Sequence, residues 1–270
     1  MNLRVLIDGD MVVYSTCCAE EYEVNWGGDL WTLDLDATAV KQGVHNKVRQ
    51  LQEKATELFF NTFDDDEDVN SEVTLCFTDP YNNFRKILNP DYKANRKDRR
   101  KPLGYTAVVQ WCKENYKTLE VPFLEADDLL GLNASDNTVL CSGDKDISHC
   151  CYGYVYDWNR DTFTHNTKED MDYGMYYQAI VGDRADHYTG IKGKGEKGAE
   201  RILANGATWD NVLDNFLAAE QTKEDALLNV RMARILRRGD VVKDKDGQWL
   251  IKLFGMKNYL PLPFKKEDIR

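Results

Sequence analysis

Apolar positions in the first 175 residues alternate between two spacings. Three short runs, LRVLI (3–7), EVTLCF (72–77) and NTVLC (137–141), each close at or shortly before an acidic residue. Their length and β-branched content predict strands. Between them the spacing lengthens to that of a helix. After Asp36, the positions Val40, Val44, Val48, Leu51, Ala55, Leu58 and Phe59 share one face of a segment ending near residue 60, which predicts a helix started by Asp36. Residues 103–116 and 126–134 repeat the pattern. Strands alternating with helices predict an α/β fold, a mostly parallel sheet flanked by helices on both faces. Ligands of such folds gather outside the carboxyl ends of the strands, where the acidic residues stand.

Beyond about residue 175 the strand signal fades. Helical spacing dominates to about residue 238, clearest in WDNVLDNFL (209–217) and DALLNVRMARILRR (225–238), and QWLIKL (248–253) predicts a late strand. No repeat of 20–50 residues and no linker rich in Pro, Gly or Ser marks a boundary.

A chain of 270 residues with 42% apolar composition can bury a substantial core. No apolar stretch approaches the roughly 18 residues of a membrane span, and the N-terminus lacks the pattern of a signal peptide. The expectation is a cytoplasmic protein. Seven cysteines, two adjacent pairs among them, contain no C-x-x-C spacing and read as buried, reduced thiols. The net charge of −11 argues at first against a nucleic-acid partner, but residues 84–101 (FRKILNPDYKANRKDRRK) hold eight Lys or Arg against two Asp. The DDDED run at 64–68 reads as a solvated loop.

Five acidic clusters punctuate the chain: Asp8 with Asp10, Asp79, the EADD of Glu125, Asp127 and Asp128, the SGDKD of Asp144 and Asp146, and the GDRAD of Asp183 and Asp186. Any one of them has an ordinary explanation as a helix cap. Together, at the ends of strands and starts of helices, they repel one another unless a cation neutralises them. An all-oxygen set suits Mg²⁺ or Mn²⁺, and the four histidines have no ligand spacing. Two such ions roughly 4 Å apart would suit phosphodiester hydrolysis.

Two elements could handle phosphate. YKANR (92–96) would, as a helix, put Lys93 and Arg96 on one side with Tyr92 free to stack on a terminal base; a solvated basic helix is the plainer alternative. In GIKGKGEKGAERIL (190–203), Gly193, Lys194, Gly195 and Lys197 read as a sequence-independent clamp on a DNA backbone at a helix start. The Gly-x4-Gly-Lys-[Ser/Thr] phosphate loop is absent.

In this order and spacing, Asp8, Asp79, YKANR, EADD, SGDKD and GDRADHYTGIKGKGEKGA resemble the flap endonuclease and 5′-to-3′ exonuclease family, particularly its small phage-encoded members. The resemblance implies a PIN-like nuclease domain over 1–175. It implies a C-terminal region over 176–270, with a helix–three-turn–helix element at about 180–204 that binds duplex DNA and often K⁺. It assigns Asp8, Asp79, Glu125, Asp127, Asp128, Asp144, Asp146, Asp183 and Asp186 to two Mg²⁺ ions, with Mn²⁺ able to substitute, directly or through their neighbours. Lys93 and Arg96 resemble cations that contact the scissile phosphate at the base of a helical arch, with Tyr92 stacking beside them. Asp10 has no counterpart and stays outside that set. His187 and Thr189 replace the Asn and Pro usual in the family's Asp-Asn-x-Pro-Gly, and Gly198 follows Lys197 where Thr is common. The implied activity is 5′-to-3′ cleavage of duplex DNA at ends, nicks or flaps, with RNA-primer removal from RNA–DNA hybrids, by a monomer without membrane contact in the host cytoplasm of a phage. Two other readings compete. LIDGD is similar to the start of haloacid dehalogenase-type phosphatases but lacks their following Thr, and a catalytically inactive DNA-junction binder would gain nothing from so many anions near phosphate.

Overall fold

The computed structural model describes residues 2–63, 70–96 and 99–269; the acidic run at 64–68 lies outside them. The chain begins with β1 (Leu3–Asp8), α1 (Gly9–Glu20), a hairpin of β2 (Glu21–Gly27) and β3 (Leu30–Leu35), and the long α2 (Ala37–Phe60). Next come β4 (Ser71–Cys76), α3 (Phe84–Leu88), α4 (Tyr105–Asn115), β5 (Thr118–Leu119), α5 (Ala126–Asn133), β6 (Thr138–Ser142) and α6 (Lys145–Cys150). Two more strands, β7 (Gly153–Asp157) and β8 (Thr162–Asn166), precede the helices α7 (Lys168–Val181), α8 (Glu196–Leu203), α9 (Trp209–Ala218) and α10 (Lys223–Ala233). A small sheet of β9 (Val241–Lys243), β10 (Trp249–Ile251) and β11 (Leu260–Pro261) closes the chain.

The main sheet has the order β5-β4-β1-β6-β7-β8 and is parallel except for β8, which pairs antiparallel with β7. This is the expected mostly parallel sheet. Its strands β1, β6 and β7 are buried almost throughout because both faces are covered there, whereas the edge strand β8 is mostly exposed. Leu3, Val5 and Ile7 of β1 pack with Val44, Leu51 and Phe59 of α2, whereas Leu6 joins a core on the other face with residues of α5, α7 and α10. That second core runs from Leu6 to Phe264, so the C-terminal helices share it with the sheet, and residue 175 lies inside α7. Asp36 caps α2 as expected, accepting from the N–H of Thr38 and Ala39 at 2.8 and 3.0 Å.

The structure adds elements that the spacing alone does not predict, the β2–β3 hairpin and the β7–β8 pair. It also shortens one. The helical pattern of 225–238 stops at Ala233. There the Arg234 carbonyl accepts from Arg85 at 2.7 Å and the Leu236 N–H donates to Asp128 at 3.2 Å. Buried side chains thus take up backbone groups at the point where the helix ends. No helix among the described residues is long and apolar enough to cross a membrane. All seven cysteines are free, and only Cys18 is exposed.

Candidate active site

β1 lies between β4 and β6 with parallel register, Asp8 opposite Cys76 and Ile7 opposite Cys141. The carboxyl ends of these strands therefore deliver their following residues to one edge of the sheet. Asp8 ends β1 and caps α1, accepting from Met11 N–H at 3.0 Å and from the Ser142 hydroxyl at 3.2 Å. Asp10 accepts from Thr78 N–H at 3.0 Å and from the Tyr105 hydroxyl at 2.7 Å. Asp127 lies in the first turn of α5; Asp144 caps α6 through the Asp146 N–H at 2.9 Å. Asp183 and Asp186 come from the loop after α7, where the Asp183 carboxylate accepts from the Ala185 and Asp186 N–H groups at 2.6 and 3.1 Å.

These seven aspartates and Glu125 line one pocket of about 310 Å³ together with Lys93, Arg96 and Arg85. Neither histidine nor cysteine is part of its lining. Such a donor set, carboxylate oxygens only, fits hard divalent cations and not zinc. Among the described residues no three His, Cys, Asp or Glu side chains close around a single point. The carboxylates instead face a shared space, as suits ions that keep water and substrate oxygens in their shells.

Their mutual repulsion is visible in their acidity. Burial first, and then the neighbouring Asp10, push the Asp8 carboxyl up to about 7. Burial, followed by Asp8 and Asp144, holds Asp127 far above the usual carboxylate range, and burial with Asp144 brings Asp146 to about 6. Glu125 differs. Burial would raise it, but Lys93 and Arg85 outweigh that and hold it at about 2.

A pH dependence follows from the raised group. The folded chain keeps protons on Asp8 and Asp146 that the unfolded chain has released above about pH 4, so stability falls as pH rises from about 4 to 7. In EDTA, the thermal midpoint is expected to be several degrees lower at pH 8 than at pH 5.5. Calorimetry across that range checks this, and a midpoint that climbs with pH would contradict the crowded-carboxylate reading.

No protein-family model matches the chain. Curated relatives do. Against the exodeoxyribonuclease of Enterobacteria phage T3 the chain is 28% identical over 276 residues, spanning 86% of this chain and 87% of the relative. The exonuclease of Escherichia phage T7 is 27% identical, with 86% and 88% covered. Over most of its length the chain is thus similar to phage exonucleases. A solved structure of a bacteriophage T5 flap endonuclease with DNA and metal ions shares the fold at a TM-score of 0.57 and 15% identity, covering 87% of this chain and 89% of that one.

The structure sorts the expected site residues. Asp8, Glu125, Asp127, Asp144, Asp146, Asp183 and Asp186 are brought together, as are Lys93 and Arg96. Lys93 Nζ lies 2.6 Å from Glu125 Oε1 and 3.8 Å from Asp186 Oδ2, and Arg96 is 3.0 Å from Asp186 Oδ1. They reach the pocket without the expected α-helix: Lys93 has φ 53° and Ala94–Arg96 forms one turn of 3₁₀ helix.

One expectation is corrected, and two of the expected carboxylates stand apart from the pocket's lining. Tyr92 does not present its ring for stacking; it is buried, and its hydroxyl donates to Glu125 at 2.8 Å. Asp128 faces no cation space. It is fully buried, both oxygens paired with the Arg85 guanidinium at 2.7 and 2.8 Å. Asp79 stands outside the acidic pocket, its oxygens accepting from the N–H groups of Tyr81, Asn82 and Phe123 at 2.9, 3.2 and 2.8 Å.

The structure also adds residues. Asp10 joins the acidic lining, although only its position after the first strand singles it out in the sequence. Arg85 is buried beneath the pocket, joined to Asp128, Glu125 and the carbonyls of Met232 and Arg234. Nothing in the sequence separates Arg85 from the exposed cations around it.

Beside the pocket runs a groove of about 730 Å³ that shares Asp10, Thr78, Lys93, Arg96 and Glu125 with it and carries Lys86, Lys101 and Lys113 on its walls. Tyr81 stands on this groove, 86% exposed. The groove, whose five cations stand among Asp10, Asp79, Glu120 and Glu125, opens directly into the carboxylate pocket. On the far side, the loop between α7 and α8 doubles back on itself through paired hydrogen bonds between Asp183 and Tyr188 at 2.8 and 3.0 Å. A Cβ on Gly190 would lie 2.3 Å from the Ile180 carbonyl oxygen, and φ there is +66°, so this return, which aims Asp183 and Asp186, needs glycine.

Proposed function

We propose that the chain is a divalent-metal-dependent 5′ nuclease that removes nucleotides in the 5′-to-3′ direction from duplex DNA ends and nicks, and cuts flaps. One observation carries the reading: aspartates from separate strand ends and helix starts converge on one pocket, with Lys93 and Arg96 at its rim and an open groove leading in. Asp8, Asp127, Asp144, Asp146, Asp183 and Asp186 would hold two Mg²⁺, with Mn²⁺ able to substitute. When bound, the ions supply a hydroxide-like water and neutralise charge on the phosphate.

The remaining steps belong to the chain's own side chains. Glu125 is committed to Arg85, Tyr92 and Lys93, and serves to fix the Lys93 ammonium. Burial would lower the Lys93 pKa, but Glu125 and Asp186 outweigh it, so Lys93 stays a cation and acts by charge on the scissile phosphate. Arg96, half exposed at the rim, reaches further toward solvent. Tyr81 replaces Tyr92 as the aromatic that stacks on a terminal base.

The α7–loop–α8 segment is proposed as the helix–three-turn–helix element, within a nucleic-acid-gripping region over 176–270 that follows the nuclease portion over 1–175. Gly193, Lys194, Gly195 and Lys197 would grip the duplex backbone, with K⁺ held by loop carbonyls. Open space surrounds the position of a Cβ on Gly195, and its φ is −109°. The fold itself does not demand glycine there, which supports close approach by a partner from outside. RNA–DNA hybrid as a second substrate, action as a monomer and work in the host cytoplasm complete the reading.

Two substitutions separate these roles. Lys93→Ala is expected to slow single-turnover cleavage by about 100-fold or more while changing DNA affinity little. Tyr81→Ala is expected to weaken binding by about 10-fold, the value of one stacked base, and to leave the cleavage step nearly unchanged. Rapid-quench kinetics with fluorescence anisotropy on the same flap duplex measures both. Equal losses of rate and affinity in the Lys93 variant would remove it from the phosphate.

A further inference from the structure

The β2–β3 hairpin has no role in the chemistry above, yet it is the most conspicuous unpartnered surface among the described residues. Neither of its faces is buried. Tyr22, Trp26, Leu30, Trp31 and Leu33 all stand exposed on it, Trp26 at 66% and Trp31 at 55%. A two-stranded ribbon without a covered face is marginal in water, and apolar patches of this kind mark interaction sites. Its outer edges are open as well. Among the described residues, no main-chain hydrogen bond from another element reaches either strand.

Charge narrows the partner. From residue 20 to 36 there are six acids, Glu20, Glu21, Glu23, Asp29, Asp34 and Asp36, and not one Lys or Arg. Such a field repels a phosphate backbone and attracts a cationic protein surface. The base of the hairpin is fixed where Glu21 accepts from Arg100 at 2.7 and 2.5 Å and from the Leu103 N–H at 2.8 Å.

We propose that the β2–β3 hairpin is a docking site for a basic partner protein, which adds an extended segment of alternating Lys or Arg and apolar residues to an open strand edge. Main-chain pairing supplies the affinity, Trp31 with Leu33 on one face of the hairpin covers the apolar side chains, and the acids select the charge. The proposal is independent of the nuclease reading.

The probe is a fluorescein-labelled ten-residue peptide of alternating Lys and Val. Controls are Glu–Val and Lys–Gly peptides of the same length, all titrated onto the full chain by anisotropy. The Lys–Val peptide is expected to bind at least 10-fold tighter than either control, and to lose about 10-fold in affinity for the Trp26→Ser/Trp31→Ser variant. Hydrogen exchange on the unaltered protein is expected to show new protection of amides 21–35 with the peptide present, a readout that does not depend on the variant's folding. Equal binding of Lys–Val and Lys–Gly, or protection elsewhere only, would overturn the proposal. So would light scattering that shows a dimer protecting the same amides, which would make the occupant a second copy. Loss of flap-DNA affinity in the tryptophan variant, with peptide binding unchanged, would place DNA there instead.

Discussion

Asp127→Asn is expected to lower cleavage by at least about 100-fold and, at the same time, to stabilise the cation-free protein. Both halves follow from one environment. Asp127 stands half-buried among Asp8, Asp144 and Glu125, and its carboxyl lies far above the usual range because desolvation and those neighbours disfavour its charge. Removing the charge relieves a cost that the fold bears only for the sake of a cation, worth about 1–3 kcal/mol in EDTA. It also removes a ligand that the proposed ions need, which accounts for the lost turnover. For a chain of this size the stabilisation corresponds to a rise of about 2–4 °C in midpoint per kcal/mol. Calorimetry in EDTA and single-turnover cleavage in Mg²⁺ measure the two effects on the same preparation. Full activity with an unchanged midpoint would show that Asp127 neither holds a cation nor suffers crowding.

The largest expected loss of stability lies one layer deeper. Arg85→Met is expected to destabilise the fold by about 3–5 kcal/mol, the cost of leaving buried charges without their partner. The guanidinium is 4% exposed; it pairs with Asp128 in two directions, touches Glu125, and donates to the carbonyls of Met232 and Arg234. Its loss strands a fully buried Asp128 and frees the segment after α10. Arg85→Lys is expected to recover little, because one ammonium cannot reproduce a planar fork with five donors. The double variant Arg85→Met/Asp128→Leu is expected to regain much of the loss, since a buried pair removed whole is cheaper than a pair broken. Urea melts of the three proteins decide this. A loss below about 1 kcal/mol for Arg85→Met would contradict the tether.

What the sequence made legible, and what it did not, divides along physical lines. Apolar runs ending in acids located β1, β4 and β6, because strands buried on both faces must be apolar throughout and their carboxyl ends must be polar. The capping Asp36 and the 3.6 spacing located α2 nearly to the residue. The alternation of EYEVNWGGDLWTLDL around a Gly-Gly turn is a weaker signal, because it ordinarily marks a sheet with one buried face and this hairpin has none. Spacing also suggested which carboxylates stand near one another, but not which are already engaged. Asp128 and Asp127 are neighbours in the first turn of α5, yet one is turned into the Arg85 fork and the other into the pocket. Tyr92 leaves its expected role for a similar reason, since no local pattern shows that its hydroxyl finds Glu125 across 33 residues.

The central claim is a cation-dependent attack that begins at 5′ ends. It is tested most directly by incubating the protein with one duplex labelled at the 5′ end and, in parallel, at the 3′ end of the same strand, in Mg²⁺ and in EDTA. Early release of a short 5′-labelled product, with progressive shortening of the 3′-labelled strand and neither in EDTA, is the result this structure predicts. Loss of label first from the 3′ end, or cleavage undiminished in EDTA, would contradict it.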